Sequence, residues 1–546
     1  MSISKKIFIF IVAMILFSGF ITRDNDIYFE INKGIDIFGR VYKEVTLNYV
    51  DNLNPQEFML GGINGMLSSL DPYTNFIDSD QQKDIDIITK GKYGGIGATV
   101  GIRNDNVTIV DLIEGYSAQR QGLRIGDIIQ KINNTIITKE NFENLSDLLK
   151  GDVGTSVSIK IKREMPDEEI VFNLIREEIE IKNLTYYGFI PKESNNVYLK
   201  LSGFTRTAGE EVKNALLELK SQKKIESVVL DLRGNPGGLL DAAIEVCKKF
   251  LNKDQLIVSV KGRDSLNAKN YYSNEEPILA NTKMVLLIDE GSASASEIVA
   301  GALQDHDRAV LVGTNSFGKG LVQTLIPLSY NTSLKITTAR YFTPSGRSIQ
   351  KVNYSTKNKA FEKNLLIIPK KFSTDKNRTV LSAGGIMPDT IVKYESGSSL
   401  VQKLLADGMF FKFATGVFNR NVNFDLKNYT DEVLIKEFAD YLQNENFKYT
   451  SKSQKIVEQL IETGKEDNLD IKLIEQFNKM KNELAVNLAN EIKMNKDDIL
   501  SNIKEELAAR TNGRPGRIIE SLIYDKQFAS ALKILKNPKL YNHILR

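Results

Sequence analysis

Three serines fall in the nine-residue stretch Asp289-Glu-Gly-Ser-Ala-Ser-Ala-Ser-Glu297, directly after the apolar run Met284-Val-Leu-Leu-Ile288. An apolar run that gives way to acids and small residues reads as a buried strand breaking into a helix. Serines at such a break either cap the helix or present a hydroxyl for nucleophilic attack. Attack needs a base, and histidine is the usual one. The chain has only two, His306 and His543. His306 lies in the charged stretch Gln304-Asp-His-Asp-Arg308 and His543 close to the end of the sequence, so both read as solvated or capping side chains. A lysine takes the same proton if an apolar pocket keeps its amine neutral. Lys319, flanked by glycines and by Phe317 and Leu321, is the candidate.

Two glycine-bearing loops, Arg233-Gly-Asn-Pro-Gly-Gly238 and Asn315-Ser-Phe-Gly-Lys-Gly320, follow strand-like runs. In open α/β sheets ligands gather at the carboxyl ends of strands, so these loops and the serine turn at one sheet edge would form a site. Phosphate binding is excluded by spacing, because neither loop has the pattern G-x-x-x-x-G-K-[ST].

The elements that must position these residues follow from periodicity. Ile31, Ile35, Phe38, Tyr42, Val45 and Tyr49 mark an amphipathic helix, and residues 61–70 a second one stopped by Asp71-Pro72. The turn Gly91-Lys-Tyr-Gly-Gly-Ile-Gly97 opens a compact sheet domain, with strands predicted at 107–113, 128–132, 157–161 and 170–175 and short helices at 117–121 and 142–149. From about residue 197 strands and helices alternate, which implies α/β layering. Residues 351–380 are polar and read as an irregular surface insertion. Beyond 396 the chain turns helical and lysine-rich; Ile474, Phe477, Leu484 and Leu488 fit one helix face, and Arg514-Pro-Gly516 breaks the tail.

At 546 residues the chain is too long for one core. Its net charge of +3 gives no reason to invoke nucleic acid. Cys247 is the sole cysteine, so no internal disulfide or thiolate cluster forms, and no metal or cofactor is implied. Lys5-Lys6 precede residues 7–21, which carry no charge. That is the layout of a secretory signal, with an uncleaved membrane anchor as the alternative. An exported protein is expected, periplasmic or anchored to the inner membrane.

Taken together, Asp231-Leu-Arg-Gly-Asn-Pro-Gly-Gly238, Ser292-Ala-Ser-Ala-Ser-Glu297 and Phe317-Gly-Lys-Gly320 with Gln323 resemble the C-terminal processing peptidases, serine peptidases with a Ser–Lys dyad. Gly62-Ile-Asn-Gly-Met66, Leu70-Asp-Pro72 and Gly384-Gly-Ile-Met-Pro-Asp389 extend the likeness across roughly residues 30 to 395. The resemblance implies Ser294 as nucleophile, Lys319 as base and Gln323 as the residue that orients the lysine. It implies an oxyanion hole from the N–H of Ala295 and of a glycine in the loop, Gly237 or Gly238. Ser292 and Ser296 are then structural.

Residues 91–175 resemble a PDZ domain, with Gly94-Gly-Ile-Gly97 as its carboxylate-binding loop and Gly122-Leu-Arg-Ile-Gly-Asp-Ile-Ile129 as its second motif. Backbone N–H groups of Gly95, Ile96 and Gly97 would hold a terminal carboxylate, and the neighbouring strand edge would accept the peptide. Apolar Ile96, Ala98 and Val100 favour substrates with apolar C-termini, and docking is expected to move the domain and open access to Ser294.

The fold expected is multidomain: an α/β crotonase/ClpP-like peptidase core with an inserted PDZ domain and N- and C-terminal helical elements. The boundaries expected are 1–23 signal or anchor, 24–90 helical, 91–175 PDZ, 176–395 core and 396–546 helical extension. An oligomer is compatible with these features. Two other readings fit the layers: a catalytically inactive PDZ scaffold, and a crotonase-like acyl-transfer enzyme, which would leave the PDZ domain without a task.

Overall fold

A computed structural model describes residues 27–546 apart from 80, 83, 84, 86, 88, 90, 165, 264–267, 355–365, 395, 396, 422, 485 and 486. The expected signal or anchor at 1–23 therefore lies outside the described residues. The chain divides into two compact units, a smaller one of residues 1–79, 323–337 and 354–363, and a larger one holding the rest.

At the centre of the larger unit is a six-stranded sheet in the order Leu184–Phe189, Asn196–Leu201, Ser227–Asp231, Lys283–Ile288, Val310–Gly313, Thr390–Ile391. The first pair is antiparallel and the rest are parallel. Parallel strands need crossovers, and helices Ala208–Gln222, Leu240–Lys248 and Ala295–Asp305 supply them. Side chains alternate across the sheet. Val228, Leu230, Met284, Leu286 and Ile288 pack with those helices, whereas Val229, Val285, Leu287 and Val312 face the other way. The second face is covered by the end of the chain: Phe528, Ala531, Ile534, Leu535 and Tyr541 pack on it. A sheet buried on both faces explains why Met284 to Ile288 reads as an unbroken apolar run.

The C-terminal tail thus completes the core. Tyr541 donates to Met284 O and accepts from its N–H, and Arg233 pairs with Asp525 at 2.6 Å. Ahead of it, helices Ser399–Ala406, Met409–Arg420, Asp431–Asn444 and Lys496–Ile523 build a separate core around Phe410, Phe413, Phe438 and Leu507. The predicted break falls at Gly513, φ 60°, just before Pro515. The single helix face expected across Ile474 and Leu488 is instead split. One helix ends at Glu483, and Asn487 caps the next by accepting from Ala489 and Asn490 N–H.

The sheet domain carries strands Lys92–Gly95, Ala98–Arg103, Asn106–Leu112, Ile128–Ile132, Ser156–Arg163, Glu168–Ile175 and Glu177–Glu180. Lys92–Gly95 pairs with Glu177–Glu180 in a separate two-stranded sheet, which brings the two ends of this stretch together. Strand Ala98–Arg103 lies at the edge of its sheet, paired among the described residues with Asn106–Leu112 alone. The described residues of the insertion at 351–380 are more regular than expected. Lys371–Ser373 and Thr379–Leu381 form a hairpin, held to the core by Arg378 through Asp307 and Asp389.

In the smaller unit a helix covers residues 27–48, followed by Pro55–Ser68, which Asn54 caps. Tyr42 stacks on Phe58. Strand Asn75–Ile77 pairs with residues 333–335, and Asp71 accepts hydrogen bonds from Thr74 and Thr337.

Candidate active site

Strand Lys283–Ile288 ends at the serine turn, and helix Ala295–Asp305 begins there. Ser294 is the helix N-cap with φ 54° and ψ −109°, a conformation that side-chain-bearing residues rarely adopt. Such strain persists only where the surroundings over-determine it. Here Asn235 O accepts from Ala293 N–H at 3.0 Å and from Ser296 Oγ at 2.9 Å. The hydroxyl of Ser292 reaches Leu232 O at 2.9 Å and accepts from Asp289 N–H at 3.0 Å. Ser292 and Ser296 are fully buried with their hydroxyls spent on backbone, whereas Ser294 is half-buried. Of the three serines Ser294 alone is partly exposed, and its side chain takes part in a capping box with Glu297.

The glycine loop runs directly beside it. Gly237 has φ 97°, and a Cβ there would lie 2.6 Å from Ala293 O and 3.0 Å from Ser294 Cβ, so only glycine fits. Its N–H donates to Asn235 Oδ1 at 2.9 Å. Of the two loop glycines expected to supply an oxyanion donor, Gly237 is therefore occupied in holding the loop. Gly238 N–H meets no acceptor among the described residues. Ala295 opens the helix, where N–H groups have no intrahelical partner.

The backbones of Lys319 and Ser294 are tied through a residue for which no role was expected. Glu297 is fully buried, and its Oε2 accepts from Ser294 N–H and Lys319 N–H, each at 2.9 Å. Its Oε1 accepts from Gly318 N–H at 2.7 Å and Ser316 Oγ at 2.5 Å. Burial pushes this carboxyl up to about 7, against the pull of those four donors. A second tie is Tyr341, whose hydroxyl lies 2.7 Å from Lys319 O and 3.2 Å from Ser294 O. Phe317 N–H adds a third, to Ser292 O at 3.0 Å. The one signal for Glu297 was its place three residues after a helix-capping serine, the spacing of a capping box.

Gln323 belongs to the smaller unit, where its amide donates to Thr337 Oγ1 at 3.2 Å. His306 caps the far end of the serine helix, twelve residues or about 18 Å from Ser294. Both its ring nitrogens are engaged, with Asp375 and with Leu256 O at 2.7 Å each. Cys247 is fully buried, and burial raises its thiol pKa, in line with a structural role.

In the sheet domain, Gly95 ends the strand paired with Glu177–Glu180. Ile96 O and Gly97 O accept from Ala118 and Ile113 N–H, at 2.9 and 2.8 Å. Their own N–H groups meet no acceptor among the described residues. Ile96 is buried in the domain core and shapes the loop from beneath.

Comparison with known proteins decides the family. Peptidase family S41 matches residues 195–356, a PDZ domain residues 108–163, and the "Probable PDZ-protease, C-terminal helical domain" residues 400–535. The carboxy-terminal-processing protease of Bartonella bacilliformis is 40% identical over 316 residues, 57% of this chain and 72% of that protein. The chain belongs to the carboxy-terminal processing proteases. It is a serine-type peptidase with a PDZ domain and a C-terminal helical domain. Carboxy-terminal processing protease CtpB of Bacillus subtilis is 33% identical, covering 59% of this chain and 67% of its own length. A solved structure, the photosystem II D1 C-terminal processing protease, aligns with 26% identity over 57% of this chain and 89% of that one, TM-score 0.34. Among the described residues of this protease no helix is long and apolar enough to cross a membrane.

Proposed function

We propose that this carboxy-terminal processing protease uses Ser294 as nucleophile and Lys319 as general base on a crotonase/ClpP-like core spanning 176–395. The carrying observation is the pair of backbone N–H groups, from Ser294 and Lys319, on one Glu297 oxygen. Ser294 Oγ attacks the scissile carbonyl carbon while Lys319 Nζ, neutral at the start, takes the hydroxyl proton. Ala295 and Gly238 N–H stabilise the oxyanion, and Gly237 permits the close approach. As the tetrahedral intermediate collapses, the C–N bond breaks and Lys319 returns the proton to the leaving amine. Water, deprotonated by Lys319, then cleaves the Ser294 ester and the hydroxyl is restored. Gln323 orients the lysine.

The PDZ domain at 91–175 captures an apolar C-terminus, its carboxylate on the loop Gly95, Ile96 and Gly97 and its backbone along Ala98–Arg103. Segment 1–23 directs export, 24–90 and 396–546 flank the working domains, and docking of peptide opens access to Ser294.

Cleavage of an unfolded protein with an apolar C-terminus, by the chain lacking residues 1–23, tests the dyad. Ser294→Ala and Lys319→Ala are both expected to abolish turnover with unfolding midpoints preserved. A basic shoulder in kcat/KM against pH, marking the lysine, is expected in the wild type. Turnover surviving in Lys319→Ala would assign the base elsewhere.

A further inference from the structure

Edge strand Ala98–Arg103 starts beside the carboxylate loop and runs away from it for five residue steps, about 17 Å. A peptide added antiparallel to that edge, its terminal carboxylate at Ile96 and Gly97, brings its upstream residues to Arg103. There the PDZ domain is no longer alone. Ile102, Arg103 and Asn104 share a cavity of about 270 Å³ with Leu405, Phe411 and Glu506 of the C-terminal helical domain.

The two domains are in contact at this place. Arg514 pairs with Asp111 at 2.7 Å, and Asn419 donates to Glu164 O at 2.7 Å. A Cβ on Gly126, φ 104°, would lie 2.4 Å from Thr415. Phe411 lies under two guanidinium groups, Arg510 at 4.6 Å and Arg103 at 5.8 Å. Arg510 is paired with Glu506 at 2.8 Å, and Arg517 reaches the same carboxylate at 3.3 Å. Arg103 is exposed, and no carboxylate pairs with it among the described residues. Glu506, the acid of the lining, is thus compensated by Arg510 and Arg517, which leaves Arg103 as the lining charge without an opposite partner among the described residues.

We propose that this cavity is a second specificity subsite, built jointly by the PDZ domain and the helical domain. It takes an acidic side chain five or six residues before the captured C-terminus of a substrate. The inference rests on PDZ capture, so its test separates the two. Ten-residue fluorescent peptides with an apolar free C-terminus are titrated by anisotropy against the full chain carrying Ser294→Ala, with Glu or Lys placed in turn at each upstream position.

At five or six residues before the terminus, Glu is expected to bind roughly threefold tighter than Lys, as for an exposed charge pair. The preference should vanish nearer the terminus. Arg103→Glu should reverse it. Ala406→Glu, an exposed cavity-rim change on the helical domain, should weaken the Glu peptide while sparing peptides that end short of the cavity. No positional preference, or one that Arg103→Glu leaves intact, overturns the subsite. An effect of Arg103→Glu with none from Ala406→Glu assigns it to the PDZ domain alone and overturns the joint site. An amidated terminus that binds as well as the free acid instead defeats PDZ capture itself.

Discussion

The two ends of helix Ala295–Asp305 solve the burial of acid side chains in opposite ways. At the C-terminal end the acids are neutralised by cations: Asp305 by Arg347 at 2.8 Å, and Asp307 and Asp389 by Arg378 at 2.5 and 2.6 Å. At the N-terminal end Glu297 is held by two hydroxyl and loop-backbone donors and by the amides of Ser294 and Lys319, none of them carrying a formal charge. Compensated charge makes a rigid anchor but fixes the local field. Uncharged donors hold geometry just as firmly while leaving the acid free to change charge near neutral pH. The anchoring end therefore serves the fold, and the Glu297 end sets the register of Ser294 and Lys319, the proposed nucleophile and base.

The strongest way to break this comparison is to swap the chemistry at each end and read turnover. Glu297→Gln keeps the volume but replaces one acceptor oxygen with an amide NH2 that must face at least one backbone N–H donor. We expect kcat to fall by about 100-fold or more, since a misplacement of roughly 1 Å costs that much, with KM changed only a few-fold. Asp305→Asn should leave kcat near wild type. Equal losses in kcat would show that both ends merely hold the fold.

Stability should respond in the reverse sense. Arg347→Met strands Asp305 in a fully buried place and is expected to cost about 3–5 kcal/mol, measured by denaturant unfolding. Removing both partners, Arg347→Met with Asp305→Asn, should recover part of that loss. A single variant as stable as wild type would mean that water or relaxation already compensates the acid.

How much of this was visible in the sequence divides along the same helix. The apolar run before the serines, the glycines of Asn235-Pro-Gly-Gly238 and the alternation from 197 onward locate the sheet edge and its loops, because strand burial and close approach constrain residue type locally. Glu297 could not be assigned a role, because an acid after a capping serine is common and its partners Gly318 and Lys319 are backbone groups some twenty residues on. The ion pairs at the far end were equally hidden. Asp307 and Arg378 sit in a charged stretch and a polar insertion, and read as solvated until the hairpin Lys371–Ser373/Thr379–Leu381 brings them together. Coverage of the sheet's second face by the tail was also unreadable, since an amphipathic helix does not name its partner.

A pH series sharpens the contrast with a smaller effect. Burial raises the Glu297 carboxyl from an ordinary 4.5 to about 7. The folded state thus binds more protons than the unfolded state between those values. Stability linked to this group is fully present below 4.5 and is lost as pH rises through 7, by up to about 1.4 kcal/mol per pH unit. Wild type minus Glu297→Gln should show that slope in unfolding free energy. A difference flat from pH 4.5 to 7 would place the carboxyl in the ordinary range.

The smallest effect is expected at His306, and it matters because histidine is the usual base. Its ring is gripped at both nitrogens, by Asp375 and Leu256 O, at the anchoring end of the helix. His306→Gln can keep one of those bonds and loses the other, which costs about 1 kcal/mol of stability. The shape of kcat/KM against pH should not move, because a ring roughly twelve residues along the helix from Ser294 cannot accept its proton. If instead the variant loses the acidic limb of that profile, histidine rather than Lys319 does the proton transfer. The division of labour between the two ends would then be wrong at its most basic point.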